Sequence, residues 1–168
     1  PDTIKMIADL AFASAKSLKE VNLPENLTEI GESAFESCVL IPSINLPESV
    51  TSLGDRVFAF CEALAEIEVG TGLEYVGQNV LLDTAYYNDY AEDVVYLGNW
   101  IIACKNPEIQ KGKDLDPVIK AGTVGIADRA FRGCSGFTGV SLHDIKYIGD
   151  FAFYDCEKLV QVYLGKDA

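Results

Sequence analysis

Residues 18–38 read Leu18-x-x-Val21-x-Leu23-Pro24-x-x-Leu27-x-x-Ile30-Gly31-x-x-Ala34-Phe35-x-x-Cys38. Residues 41–61 repeat the phrase as Ile41-x-x-Ile44-x-Leu46-Pro47-x-x-Val50-x-x-Leu53-Gly54-x-x-Val57-Phe58-x-x-Cys61. Its centre, a small residue followed by a large apolar one, recurs along the chain at Ala11-Phe12, Ala34-Phe35, Val57-Phe58, Val80-Leu81, Ala130-Phe131 and Ala152-Phe153. The first four copies lie 23 residues apart and the last two 22, with 50 residues between Leu81 and Phe131. A fixed period of this length marks a solenoid, in which each coil buries its apolar side only against its neighbours.

Within one coil, Val21-x-Leu23 alternates with period two and is closed by Pro24, which cannot donate to a ladder; that pattern is a short strand. Leu27 and Ile30 are three apart, Gly31 permits a tight bend, and Ala34-Phe35 leaves room for one helical or 3₁₀ turn. The equivalent positions predict parallel strands near 18–23, 41–46, 64–69, 117–121, 137–142 and 159–164, all in one sheet. Short helical turns are expected near Ala11, Ala34, Val57, Val80, Ala130 and Ala152. The Phe column at 12, 35, 58, 131 and 153 is the expected hydrophobic spine.

The full string resembles the BspA-type leucine-rich repeat of bacterial surface proteins. Residues 18–38 and 41–61 carry the likeness best, and it covers nearly the whole chain. The sequence departs from the general leucine-rich pattern where an Asn ladder would follow the strand; Asn26, Ser49 and Gly72 stand there. It also departs at Val80-Leu81, where Thr84 replaces Cys, and at Ala127, which replaces Gly. The resemblance implies an α/β repeat, a right-handed curved leucine-rich-repeat solenoid with a parallel sheet on its concave side. It further implies a cell-surface or secreted setting and a role in adhesion or binding, and it carries over no catalytic residue and no cofactor. About six coils over residues 1–168 are expected to form a single array. Pro1-Asp2-Thr3-Ile4 aligns with Pro24-Glu25-Asn26-Leu27, just after a strand, and Val162-Tyr163-Leu164-Gly165 ends just after another. With no cap on either face, the sequence reads as an excised piece of a longer protein, or as a product whose signal and anchor were trimmed away.

The long gap is read as an insert at about 84–116. Val94-Val95-Tyr96-Leu97 and Trp100-Ile101-Ile102-Ala103-Cys104 are β-rich runs joined by Gly98-Asn99, a two-residue hairpin turn. Tyr86, Tyr87, Tyr90, Tyr96 and Trp100 make five of the nine Tyr and Trp residues of the chain. Aromatic rings of this kind concentrate at binding hot spots. The alternative is that Tyr96, Trp100 and Ile102 simply dock the hairpin against the solenoid. Alternation in the second run sends Trp100 and Ile102 to one face and Ile101 to the other, so docking should leave Tyr86, Tyr87 or Tyr90 as the exposed contact aromatics. Lys111-Gly112-Lys113-Asp114 reads as an exposed loop.

Composition narrows the partners. Thirteen Lys and Arg against 26 Asp and Glu leave a net charge of −13, which disfavours nucleic acid and acidic membrane surfaces. No apolar run approaches the roughly 20 residues needed to insert in a bilayer. Phosphate-loop and dinucleotide motifs are missing, so no cofactor is expected. Cys38, Cys61, Cys134 and Cys156 share one column and lack the paired spacing of a zinc site. They read as buried free thiols acting as small hydrophobes, with a disulfide as the alternative if two stacked side chains reach bonding geometry; Cys104 stands apart on the insert. His143 is a single loop histidine without a nucleophile elbow, and the acidic residues lack the spacing of a calcium loop.

Outward positions on the predicted sheet are Glu20 and Asn22, Ser43 and Asn45, Glu66 and Glu68, Lys120, Ser141, Gln161 and Tyr163. Amide and carboxylate groups on a rigid sheet suit hydrogen bonding to sugars or peptide backbone, so Asn22, Asn45, Glu66, Glu68, Ser141 and Tyr163 join the three tyrosines as candidate binding residues. The reading is a non-catalytic recognition module for a host or extracellular protein or glycan. A passive spacer and, with Glu66 and Glu68 as a carboxylate pair, a hydrolase are the alternatives. The interruption favours recognition, because a spacer gains nothing from a break in its stacking period.

Overall fold

The computed structural model describes residues 3–109, 113–114 and 119–165. The chain forms two compact units, residues 1–91 and 92–168, each with its own contacts.

The first unit stacks two-residue rungs in a parallel ladder. These are β1 (Met6–Ile7), β2 (Glu29–Ile30), β4 (Ser52–Leu53) and β6 (Tyr75–Val76), in the order β1-β2-β4-β6. Longer strands β3 (Ser43–Leu46) and β5 (Glu66–Val69) pair in parallel beside them, Ser43 opposite Glu66 and Asn45 opposite Glu68. The coils of β2 and β4 therefore each contribute a short rung and a longer strand. The predicted strands at 41–46 and 64–69 are present, and a ladder at Ile7, Ile30, Leu53 and Val76 is added to them. Residues 18–23 are not a strand. Val21-Asn22-Leu23 has the same pattern as Ile44-Asn45-Leu46, yet Leu18, Val21 and Leu23 are only half-buried and make no ladder bonds to β3. Pairing of such a segment depends on what packs behind it, and this coil carries Ala15 where the next two carry buried cysteines.

The expected helical turns are tandem β-turns instead. In the second coil Ala34, Glu36 and Cys38 donate to the carbonyls of Gly31, Ser33 and Phe35, three residues back. The alternate residues Ser33, Phe35 and Ser37 donate to Asp55, Val57 and Ala59 of the next coil at 2.8–2.9 Å. Turning every second N–H outward requires left-handed backbone, and Ser33 (φ 54°) and Ser37 (φ 61°) supply it. The same pair, four residues apart, recurs at Leu10 and Ser14, Arg56 and Phe60, Asn79 and Asp83, Phe151 and Asp155, and Arg129 and Gly133. A helix is excluded because half of its N–H groups are committed to the neighbouring coil.

The apolar side of each coil forms columns. Phe12, Phe35 and Phe58 stack at 5.1 and 5.5 Å between centroids, and Phe131 and Phe153 at 5.3 Å. Phe35, Phe58 and Phe131 are fully buried as the predicted spine requires, whereas Phe12 is exposed and Phe153 half-buried, so the spine is present only in its inner members. Gly31, Gly54 and Gly77 are required by close approach: a Cβ at Gly54 would lie 2.6 Å from the backbone nitrogen of Glu32. Gly72, one of the positions lacking the Asn ladder, is similarly pressed on the Glu48 carbonyl.

The second unit contains the run read as an insert. Strands β7 (Val94–Leu97) and β8 (Trp100–Cys104) pair antiparallel around Gly98, whose φ is 56°. The other edge of β8 pairs in parallel with β10 (Gly125–Ile126), and β10 with β12 (Tyr147–Ile148). Trp100–Ile101 thus occupies the rung position of a coil, and Ile101 stands in the Ile126 column. Strand β9 (Lys113–Asp114) pairs with β11 (Phe137–Ser141), and β11 with β13 (Gln161–Tyr163). Lys113–Asp114 is therefore strand and not loop; Lys111 and Gly112 lie outside the described residues. The strand expected at 117–121 is displaced towards the N-terminus, since Ser135 donates to the Pro107 carbonyl and fixes a register with Lys113 opposite Phe137. Residues 119–121 are not strand, and 117–118 lie outside the described residues. The strands predicted at 137–142 and 159–164 are present.

Candidate functional site

Strands β3 and β5 put Ser43 and Asn45, then Glu66 and Glu68, on an exposed face, while Ile44 and Leu46 point inward and are buried. Their period-two alternation sets this division. Glu20 and Asn22 of the first coil extend the same two rows. A cleft of about 540 Å³ extends across residues 19–22, β3 and β5 and is lined by Glu20, Val21, Asn22, Asn45, Glu66 and Glu68. It runs on past Asn22, Asn45 and Glu68 into a second hollow of about 500 Å³ bounded by Glu25 and Glu48. Four of the candidate residues, Asn22, Asn45, Glu66 and Glu68, are thus brought into one trough. Asn22 Nδ2 donates to Glu20 Oε1 at 3.1 Å, and Glu48 Oε2 accepts from Thr71 N at 2.9 Å. Among the described residues the side chains of Glu66 and Glu68 have neither a hydrogen-bond nor an ion-pair partner.

Ser141 and Tyr163 belong to the second unit, opposite each other on β11 and β13; Tyr163 is exposed and Ser141 half-buried. Lys120 is no sheet residue. Its N–H donates to Tyr96 Oη at 2.9 Å, and its ammonium lies 3.0 Å from Glu92 Oε1 and over the Tyr96 ring. His143 Nδ1 is hydrogen-bonded with the Gly165 carbonyl.

The tyrosine expectation needs correction. Tyr86 and Tyr87 lie on a short helix, α1 (Ala85–Asp89), and Tyr90 is its C-cap; all three are half-buried. They belong to the first unit and the hairpin to the second. Tyr86 and Tyr90 pack against each other at 5.8 Å. The helix begins because Thr84 Oγ1 accepts from Tyr87 N at 3.0 Å, an N-cap. This accounts for Thr in the cysteine column and is a signal the sequence reading passed over. The hairpin itself buries both faces: Trp100, Ile101 and Ile102 are 1%, 0% and 4% exposed. Trp100 docks as expected, stacked on Tyr147 at 5.6 Å and pressed on Gly125, where a Cβ would meet the indole ring at 2.6 Å. Ile101 on the opposite face is buried too, because it stands in the rung column beside the buried Ile126.

The cysteines are free thiols with a structural task. Sγ of Cys38, Cys61 and Cys156 donates to the carbonyl of Phe12, Phe35 and Phe131, one coil back, at 3.1–3.2 Å. Cys156 is half-buried and not buried as expected, lying in a coil whose Phe153 and Tyr154 are also partly open to solvent. Burial pushes the Cys61 thiol up to about 12 and the Cys156 thiol up to about 11. Cys104 is not separate. Its N–H donates to the Ala130 carbonyl as that of Phe12 does to Ala34, which sets it in the Phe column, one coil before Phe131. The Cys134 thiol hydrogen-bonds Cys104, and that bond together with burial holds the Cys134 proton on. Among the described residues no three His, Cys, Asp or Glu converge as a metal site.

A leucine-rich repeat protein of Bacteroides ovatus superposes with a TM-score of 0.43 at 21% identity, over 98% of this chain and 53% of its own. A leucine-rich cell surface protein of Faecalibacterium prausnitzii gives 0.43 at 20% identity, over 96% and 51%. The pneumococcal vaccine antigen PcpA gives 0.42 at 18%, over 98% and 49%. The chain spans about half the length of these structures. No curated protein matches it. Residues 1–97 and 116–168 match the BspA type leucine-rich repeat region in 6 copies, and the chain belongs to that family.

Proposed function

We propose that this chain is a non-catalytic recognition module, displayed at the cell surface or secreted, that binds an extracellular protein or glycan through the trough across residues 19–23, β3 and β5. Right-handed winding, implied by the family resemblance, belongs to the same reading. The observation that carries it is the convergence of Asn22, Asn45, Glu66 and Glu68 on one open polar face, two of them carboxylates without partners among the described residues. Such groups cost nothing in water and become useful only when a ligand meets them. A spacer has no need of the opening, where a ladder would have been more stable. A hydrolase needs one carboxyl group kept from water, and both Glu66 and Glu68 are exposed.

The test is a screen of immobilised extracellular-matrix proteins and glycans with the wild-type chain and with an Asn45→Ala/Glu68→Gln variant. Saturable binding that weakens about tenfold in the variant, with an unchanged melting temperature, is expected. Binding to nothing, or binding that the variant leaves unaltered, overturns the assignment.

A further inference from the structure

We propose that the occupant of this trough is an extended, lysine- or arginine-rich segment of a partner protein, added as a strand along the open edge of β3. This rests on the recognition reading above and narrows it from protein or glycan to one class. The backbone supplies the first argument. All four residues of β3 pair with β5 on one side, whereas on the other side the segment 20–23 makes no backbone bond to it. A strand edge left open in this way is a template for another chain, whose main chain supplies affinity while alternate side chains supply specificity. From Glu20 to Glu25 the trough spans five residue steps, about 17 Å of extended chain.

Side chains set the chemistry. Glu20, Ser43 and Glu66 form one row across the face, and Asn22, Asn45 and Glu68 the next, two residues further along the strand. Glu25 and Glu48 bound the far end, and Lys19 is the single cation among the lining residues. Two rows at the strand period call for cations at every second position of the occupant. Its intervening side chains would face Val21 and Ile44, where a small or β-branched residue fits. The amides and carboxylates could also hydrogen-bond a sugar, but neither hollow has an aromatic residue in its lining to stack on a sugar ring, which favours the peptide. Charge complementarity and the open edge together select a basic peptide.

The experiment uses the full chain and a fluorescent octapeptide alternating lysine and threonine, at roughly physiological ionic strength. Two comparison peptides accompany it, one alternating glutamate and threonine and one N-methylated at every second amide. Saturable binding of the lysine peptide is expected, about tenfold weaker for a Glu66→Gln/Glu68→Gln variant. Binding should be lost with the glutamate peptide and with the N-methylated one. The proposal is overturned if the lysine peptide does not saturate, if the variant binds it equally, or if N-methylation has no effect, since charge attraction alone would then suffice. Because both glutamates are exposed, the variant is expected to melt with the wild type; a large drop in melting temperature would show that they are structural and also overturn it. Glycan binding that depends on Asn45 and Glu68, without peptide binding, would refute the peptide and leave the recognition reading standing.

Discussion

The coils of residues 27–61 and the rung at Trp100–Cys104 solve the same stacking problem with different chemistry. In the regular coils a glycine lets one backbone press on the previous one, and a cysteine thiol satisfies the Phe carbonyl beneath it. In the rung at 100–104 no Phe is present, and a cysteine thiol meets another thiol. Above that rung, Ala127 stands where Gly31, Gly54, Gly77 and Gly149 stand elsewhere, and it is fully buried. The glycine is therefore a response to the shape of the coil below, and the cysteine a response to its carbonyl. Neither is required by the coil in which it sits.

That contrast can be broken most forcefully at the spine. Phe58→Ala should cost about 4 kcal/mol, because the ring is fully buried between neighbours that cannot close on the cavity. A loss below about 1 kcal/mol in urea unfolding would show that the Phe stack does not hold the regular coils together.

A sharper comparison pairs Gly54→Ala with Ala127→Gly. The first puts a methyl 2.6 Å from the Glu32 nitrogen and should cost about 3 kcal/mol. The second removes one buried methyl and stiffens nothing, so about 1 kcal/mol is expected. Equal losses in the two variants would erase the distinction drawn between the coils.

The smallest effect concerns the thiols. The unfolded Cys61 thiol ionises near ~8.5, while the folded one is pushed up to about 12. Between those values the folded chain holds the extra proton, so stability should fall as pH rises through that window and be insensitive to this group below it. Cys61→Ala should flatten the alkaline slope. In the native state Cys104, half-buried, should react with a thiol reagent about tenfold faster than Cys61. Denatured without reductant, the chain should show all five cysteines free. Fewer would mean an oxidised pair, with Cys104 and Cys134 the adjacent candidates.

Columns of identical residues were legible because burial constrains identity: Phe35, Phe58 and Cys61 announce themselves. The short rungs were not, since Glu29–Ile30 is too brief to display a period. The left-handed positions were hidden too, because Ser33, Arg56 and Phe60 are not glycine and carry no common signal. Residues 100–104 read as an interruption since a coil without Ala-Phe has lost its label while keeping its ladder. Of the candidate site, Asn22, Asn45, Glu66 and Glu68 followed from alternation alone. Their gathering around a cleft did not, because Val21-Asn22-Leu23 and Ile44-Asn45-Leu46 are indistinguishable as strings and differ only in what packs beside them.

The directed bonding of the coils has a consequence for inheritance. Gly31, Gly54 and Gly77 each donate to the rung residue one coil back, Ile7, Ile30 and Leu53, and each coil offers the next the same acceptors. Excising residues 32–54 would join Gly31 to Asp55 and leave every remaining donor facing an equivalent carbonyl. Unequal crossing-over between copies can therefore shorten or lengthen this unit by whole coils without inventing a junction, whereas a loss of one or two residues disrupts every column downstream. Length in such a molecule is a variable that recombination can tune while the chemistry of each coil stays fixed.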